Sequence, residues 1–123
     1  MRQLGLGMLL AFSILAPGVA RADDYSVQKF LEMCNEPDGS PDKSLYLGYV
    51  SGVSDVMYVN GLALRSLRPS SAAAINLSLC AKDITYGAAL QAFKNWAQAH
   101  PENWQMDHEA GVVIALRELW PCK

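Results

Sequence analysis

Cys80 to Cys122 reads C-A-K-D-I-T-Y-G-A-A-L-Q-A-F-K-N-W-A-Q-A-H-P-E-N-W-Q-M-D-H-E-A-G-V-V-I-A-L-R-E-L-W-P-C. The stretch predicts two helices joined by a turn, with a cysteine just outside each free end. The first helix starts near Thr85, whose hydroxyl accepts from the open N–H groups of the first turn. Tyr86, Leu90, Phe93 and Ala97 then recur on one face of a 3.6-residue period. His100-Pro101 ends it, because the residue before a proline is pushed out of the α region. The second helix starts near Asp107, a good N-cap, with Glu109 favourable to the helix dipole. Val112, Val113, Leu116, Leu119 and Trp120 are expected on its apolar side, and Trp120-Pro121 ends it.

A short connection makes such helices antiparallel neighbours. The start of the first then lies beside the end of the second, with Cys80 and Cys122 at that common end. A Cys80–Cys122 disulfide is therefore expected to pin the open end of the hairpin. In the loop-entropy treatment a closed loop of this length contributes roughly 3–4 kcal/mol.

Working outward, the N-terminus reads as a targeting signal. Arg2 is followed by an uncharged, mostly apolar run from Leu4 to Leu15, a break at Pro17-Gly18, and Ala20-Arg21-Ala22 as an A-x-A cleavage site. The run is shorter than the roughly 20 residues a bilayer span needs. The expected division is a signal peptide at 1–22 and one exported helical domain at 23–123, with no membrane span after cleavage. Ten Lys+Arg stand against twelve Asp+Glu in the whole chain. Losing Arg2 and Arg21 leaves eight against twelve, a net charge of −4. That disfavours nucleic acid and anionic membranes as partners.

Tyr25 to Cys34 reads as a short amphipathic helix capped by Ser26. Ser40-Pro41 opens the longest helix, expected over Pro41 to Leu64. Leu45, Tyr49, Val53, Asn60 and Leu64 are read as its inward face, with Val56 and Met57 beside Val53. Gly48 and Gly52, four apart, point to a close approach by another backbone. Gly61 is expected to loosen or end the helix. Arg65 to Leu79 is a long connection, with Ser70 or Ser71 capping a short helical run over Ala72–Ile75. The fold class is all-α: a small bundle of about four helices with a disulfide-pinned C-terminal hairpin.

Catalytic material is sparse. His100 and His108 both read as exposed, and a His100/His108/Glu109 site matches no metal-ligand spacing. There is no G-x-S-x-G, no glycine-rich phosphate loop and no C-x-x-C. No catalytic residue, metal or cofactor is expected. Cys34 is the leftover thiol, open to three readings: a buried core cysteine, an intermolecular bridge or a reactive group. The residues alone describe a small exported helical domain that works by binding.

Three ordered pieces add a resemblance. They are Leu47-Gly48-Tyr49-Val50-Ser51-Gly52-Val53-Ser54-Asp55, then Cys80 with Ile84-Thr85, then His100-Pro101-Glu102 followed by Ala115-Leu116-Arg117-Glu118-Leu119-Trp120-Pro121-Cys122. Behind a signal peptide, this set resembles the Rap/Tai family of immunity proteins. Those proteins protect a bacterium from peptidoglycan amidase effectors that type VI secretion systems deliver into the periplasm. The resemblance implies a periplasmic, all-helical, non-enzymatic protein, often a homodimer, whose partner is a papain-like amidase. It implies structural roles for Gly48, Tyr49, Gly52, Cys80 and Cys122. It marks no inhibitory surface; the expectation falls on the connection, at Arg65, Ser66, Arg68, Ser70 and Ser71. Many family members carry a cysteine where this chain has Tyr46, so Cys34 lacks that partner here. A rival class is a periplasmic stress chaperone, which would bind many clients in acid rather than one partner at neutral pH.

Overall fold

The computed structural model describes residues 25–67 and 71–123. The expected signal peptide lies outside the described residues. The described chain folds into five helices: α1 (Val27–Cys34), α2 (Pro41–Leu67), α3 (Ala72–Asn76), α4 (Tyr86–Ala99) and α5 (His108–Leu119), with a 3-10 turn at Pro101–Asn103. The class is all-α, as the periodicity implies.

Side-chain caps start most of these helices. Ser26 accepts from the Lys29 N–H at 3.1 Å, and Thr85 from that of Ala88 at 3.1 Å. Ser40 accepts from Lys43 N–H at 3.1 Å, with Pro41 as the first residue of α2. Each such cap satisfies a donor that the helix itself leaves open. Asp107 occupies the N-cap of α5, but its side chain makes no capping bond. The backbone does other work there: Ser26 and Asp107 form an isolated antiparallel bridge, and Val27 N–H donates to Met106 O at 2.8 Å. The start of α1 is thereby clasped by the turn that precedes α5.

The hairpin forms as expected. Cys80 and Cys122 are joined, with Cα atoms 4.8 Å apart, and Cys80 N–H donates to Trp120 O at 3.2 Å. The seam between α4 and α5 uses smaller residues than expected. Ala89, Ala92, Ala97 and Ala115 are buried with Phe93, Trp96, Val112 and Leu116, whereas Tyr86 and Leu119 are exposed. Small side chains let the helix axes approach, and the aromatics fill the space behind them.

Phe30 of α1 is the centre of the core. Its ring lies 5.2 Å from Tyr46, 5.4 Å from Tyr49 and 5.4 Å from Phe93, all edge-on. Such pairs contribute about 0.5–1.5 kcal/mol each beyond their buried area.

Four expectations about α2 and its surroundings need correction. The buried side of α2 is Tyr46, Val50, Ser54, Met57 and Gly61. Leu45 is exposed, and Tyr49 and Val53 sit at the margin of the core. Gly61 does not end the helix, which runs on to Leu67. Instead a Cβ at Gly61 would lie 1.8 Å from the carbonyl oxygen of Leu79, so this glycine is where another backbone crosses. Gly48 and Gly52, expected in that role, meet nothing within 4 Å. Finally, His108 is buried rather than exposed. Its ring packs against Phe30 and Tyr49, and Nδ1 donates to Tyr25 O at 2.8 Å.

Candidate functional site

A surface helix normally turns apolar residues inward and polar ones outward. α2 breaks that rule. Leu45, Gly48, Gly52, Val56 and Val59 recur at steps of three and four, on the side opposite Tyr46, Val50 and Met57, and all five are exposed. Val56 and Val59 keep 61% and 60% of their surface in water. Between Lys43 and Arg65 the only charged residue is Asp55. Beside this stripe lies an open groove of about 450 Å³ floored by Gly52, Val53 and Met57 and walled by Val56, Leu77 and Val113.

The segment after α3 bounds the groove through Leu77. Asn60 Nδ2 donates to Leu77 O at 2.9 Å, and Leu79 N–H donates to Met57 O at 2.9 Å. These bonds lay the segment after α3 across α2. Arg65 and Ser66 are exposed in the last turn of α2, next to Leu67, which is 78% exposed. Arg68 and Ser70 lie outside the described residues. Ser71 caps α3, its hydroxyl accepting from Ala74 N–H at 3.4 Å.

Two further hollows are more polar. One, of about 420 Å³, gathers Asp55, Tyr58, Asp83, Thr85 and Tyr86. There Tyr86 donates to Asp55 at 3.0 Å, and that bond pushes the phenol up from its ordinary value. The other, of about 320 Å³, opens between α4 and α5 around Trp96, Asn95, His100 and Glu118. His100 Nδ1 lies 2.9 Å from Glu102, whose carboxyl is held below the ordinary value by that bond. The described residues hold no cluster of three potential metal ligands. No described helix is long and apolar enough to cross a membrane.

The sequence profile of the Rap1a immunity proteins matches residues 26–122. The chain belongs to the Rap1a immunity protein family. Comparison with curated proteins and with solved structures gives no match to it. Membership makes this an immunity-type chain, whose task is to bind an effector protein.

Within this Rap1a family member, the family-motif residues divide by role. Cys80 and Cys122 form the hairpin staple, and Tyr49 packs on Phe30 and His108. Gly48 and Gly52 make no tight contact inside the chain and face the groove instead. Tyr46, where the resemblance leads one to expect cysteine, has become a core residue. It is 3% exposed and donates to Leu90 O at 2.8 Å. Cys34 is correspondingly a buried free thiol, with Sγ donating to Leu31 O at 2.9 Å. Burial pushes this thiol up, against the opposing pull of Lys94 and Lys43.

Sequence reading singled out Gly48 and Gly52 but missed that their face of α2 is an exposed apolar stripe with Leu45, Val56 and Val59, and it missed the Trp96 hollow. The first had a signal: the exposed stripe keeps helical spacing. Apolar residues on both sides of one helix, however, leave the phase of that spacing ambiguous. The second had none, because an unpaired indole looks like any other core tryptophan.

Proposed function

We propose that this chain is a periplasmic immunity protein that binds and inhibits a peptidoglycan amidase effector of a type VI secretion system. The observation that carries the reading is the extent of the family match, 26–122, which takes in nearly everything after the expected leader. The contact surface we assign to the effector is the connection bearing Arg65, Ser66, Arg68, Ser70 and Ser71. Its support is the run of exposed side chains at the end of α2, culminating in Leu67. An apolar side chain at the end of a 27-residue helix, lying in the sequence between Arg65 and Arg68, suits insertion into an enzyme groove. Inhibition of this kind requires shape and burial and no chemistry from the inhibitor.

A homodimer belongs to the same proposal, with the outward face of α2 as its interface. Antiparallel pairing about Gly52 sets Val56 of one copy over Gly48 of the other, and Leu45 over Val59. Val56 then fills the space left by a glycine, and Leu45 and Val59 make an apolar pair at each end, in a self-complementary, two-fold arrangement. The stripe from Leu45 to Val59 is about 21 Å long at 1.5 Å per residue.

A protection assay tests the function. The product of the open reading frame adjacent to this gene is sent to the periplasm of a test strain, with and without this protein. Lysis rescued only by the exported form is the expected result. A toxic neighbour that this protein fails to neutralise would overturn the pairing.

A further inference from the structure

Ser54 sits on the buried side of α2, only 4% exposed, yet its hydroxyl makes no hydrogen bond among the described residues. Other serines of this chain tie theirs down. Ser44 Oγ donates to Ser40 O at 2.9 Å, and Ser78 Oγ donates to the Ala74 carbonyl. Nor is Ser54 Oγ sealed in: the one fully covered side-chain nitrogen or oxygen without a partner among the described residues is Trp96 Nε1. The little surface that Ser54 keeps therefore includes its oxygen. The residue lines the hollow of about 420 Å³ between α2 and the start of α4. A nearly buried hydroxyl turned to open space, with no partner inside the chain, calls for one outside it.

The rest of the lining narrows what that partner is. Asp55 accepts from Tyr86 at Oδ2, which leaves Oδ1 to accept from elsewhere. Asp83 is exposed, and neither aspartate forms an ion pair among the described residues. Thr85 Oγ1 accepts from Ala88 N–H and keeps a further lone pair. Tyr58, Tyr86 and Ile84 supply the apolar wall. Two carboxylates repel an anion. A metal ion lacks ligands, since the described residues hold no cluster of three. A cationic N–H donor uses the whole lining: the carboxylates give it opposite charge, the hydroxyl oxygens accept its remaining hydrogens, and tyrosine faces suit a cation laid against them. The chain's formal net charge of −2 acts in the same direction on a basic partner.

We infer that this hollow is a pocket for a basic side chain of the protein partner, its cationic head held by Asp55 and Asp83 and donating to Ser54 Oγ. The inference rests on the reading of this chain as an effector-binding protein and adds one contact to that interface. Asp55 precedes Arg65 by ten residues, about 15 Å along α2 at 1.5 Å per residue. One interface of ordinary size spans both the pocket and the α2–α3 connection. Lysine and arginine share the required chemistry and differ in shape: a compact ammonium with three donors against a flat guanidinium with five.

The test titrates the 15N-labelled exported chain, at fixed ionic strength, with N-ethylguanidinium as the arginine head and butylammonium as the lysine one. Acetate and the neutral N-methylacetamide serve as controls. The expected result is a saturating movement of the Ser54, Asp55, Asp83 and Thr85 backbone N–H signals with at least one cation and with neither control. The cation with the lower midpoint identifies the side chain. Asp55→Asn and Asp83→Asn, both at exposed positions, should each weaken binding about twofold to fivefold, the range of an exposed ion pair. Ser54→Ala should weaken it about threefold to tenfold, the range of a net hydrogen bond, with the urea midpoint checked alongside. Movement that never saturates, that is matched at Glu36 and Glu118 outside the hollow, or that N-methylacetamide reproduces would overturn the proposal. In the protection assay the folded, exported double variant Asp55→Asn/Asp83→Asn should rescue less well than wild type. Full rescue by that variant would remove the pocket from the effector interface. Failure of the wild type to rescue would instead overturn the effector reading, so the two failures fall in different arms.

Discussion

The C-terminal hairpin and α2 use apolar residues in opposite ways. In the hairpin, Phe93, Trp96, Val112 and Leu116 are all turned into one core, and a covalent bond closes the open end. α2 turns Tyr46, Val50 and Met57 to that core and leaves Leu45, Val56 and Val59 in water. The first region stabilises the chain; the second stabilises it with one side and keeps the other uncovered. A protein selected only for its own stability would place polar residues on that second side. The difference teaches where to look for function in a chain without a catalytic motif: in apolar surface that the fold does not use.

The largest effects should come from the hairpin. Phe93→Ala empties a fully buried position at the junction of α1, α2 and α4, and should cost about 3–5 kcal/mol in urea unfolding. Replacing Cys80 and Cys122 together by serine frees a loop of 42 residues. Its expected cost is about 2–5 kcal/mol, read as the shift in urea midpoint between oxidised wild type and variant. If either change left stability intact, the hairpin would not be the stabilising region and the contrast with α2 would fail.

Alkaline pH should probe the inner side of α2. The Tyr46 hydroxyl is pushed well above its ordinary value, chiefly by burial and secondarily by Cys34. A group whose folded pKa is raised contributes fully below its unfolded value, about 10 for a phenol. That contribution is lost as pH rises through the folded value. Urea stability should therefore fall from about pH 10 upward. Tyr46→Phe should flatten part of that fall, and at neutral pH should cost about 1 kcal/mol for the lost bond to Leu90 O. An unchanged alkaline slope in the variant would remove Tyr46 as its source.

Much of this fold was legible in the chain, because it is written in local signals. Ser26, Ser40, Ser71 and Thr85 cap where short polar side chains before apolar runs should cap. His100-Pro101 and Trp120-Pro121 end helices by sterics that involve two residues only. The disulfide followed from helix direction. What was not legible is non-local. The phase of α2 depends on which of two apolar sides faces α4, and no short window contains that information. His108 is buried because the Ser26–Asp107 bridge draws Tyr25 over it, a contact across 83 positions of sequence. The partner surface is harder still, since the residues that recognise an effector are tuned to a chain that is not this one.

Glycine substitutions along α2 give the finest comparison, because one change of one methyl group should have two signs on one helix. Gly61→Ala drives a Cβ into the Leu79 carbonyl, where backbone rather than a flexible side chain must yield. Overpacking of this kind costs about 1–3 kcal/mol. Gly52→Ala and Gly48→Ala meet nothing within 4 Å. In an exposed helix interior alanine is favoured over glycine by roughly 1 kcal/mol, so each should raise the stability of the isolated chain by up to about that amount. The same two changes should weaken self-association, measured by sedimentation, if the outward face pairs with a second copy about Gly52. A gain in stability with no change in association would mean that these glycines serve neither the fold nor the dimer, and would move the search for the interface to the α2–α3 connection. A gain accompanied by dissociation would show α2 holding less than its available stability so that another helix can approach its backbone.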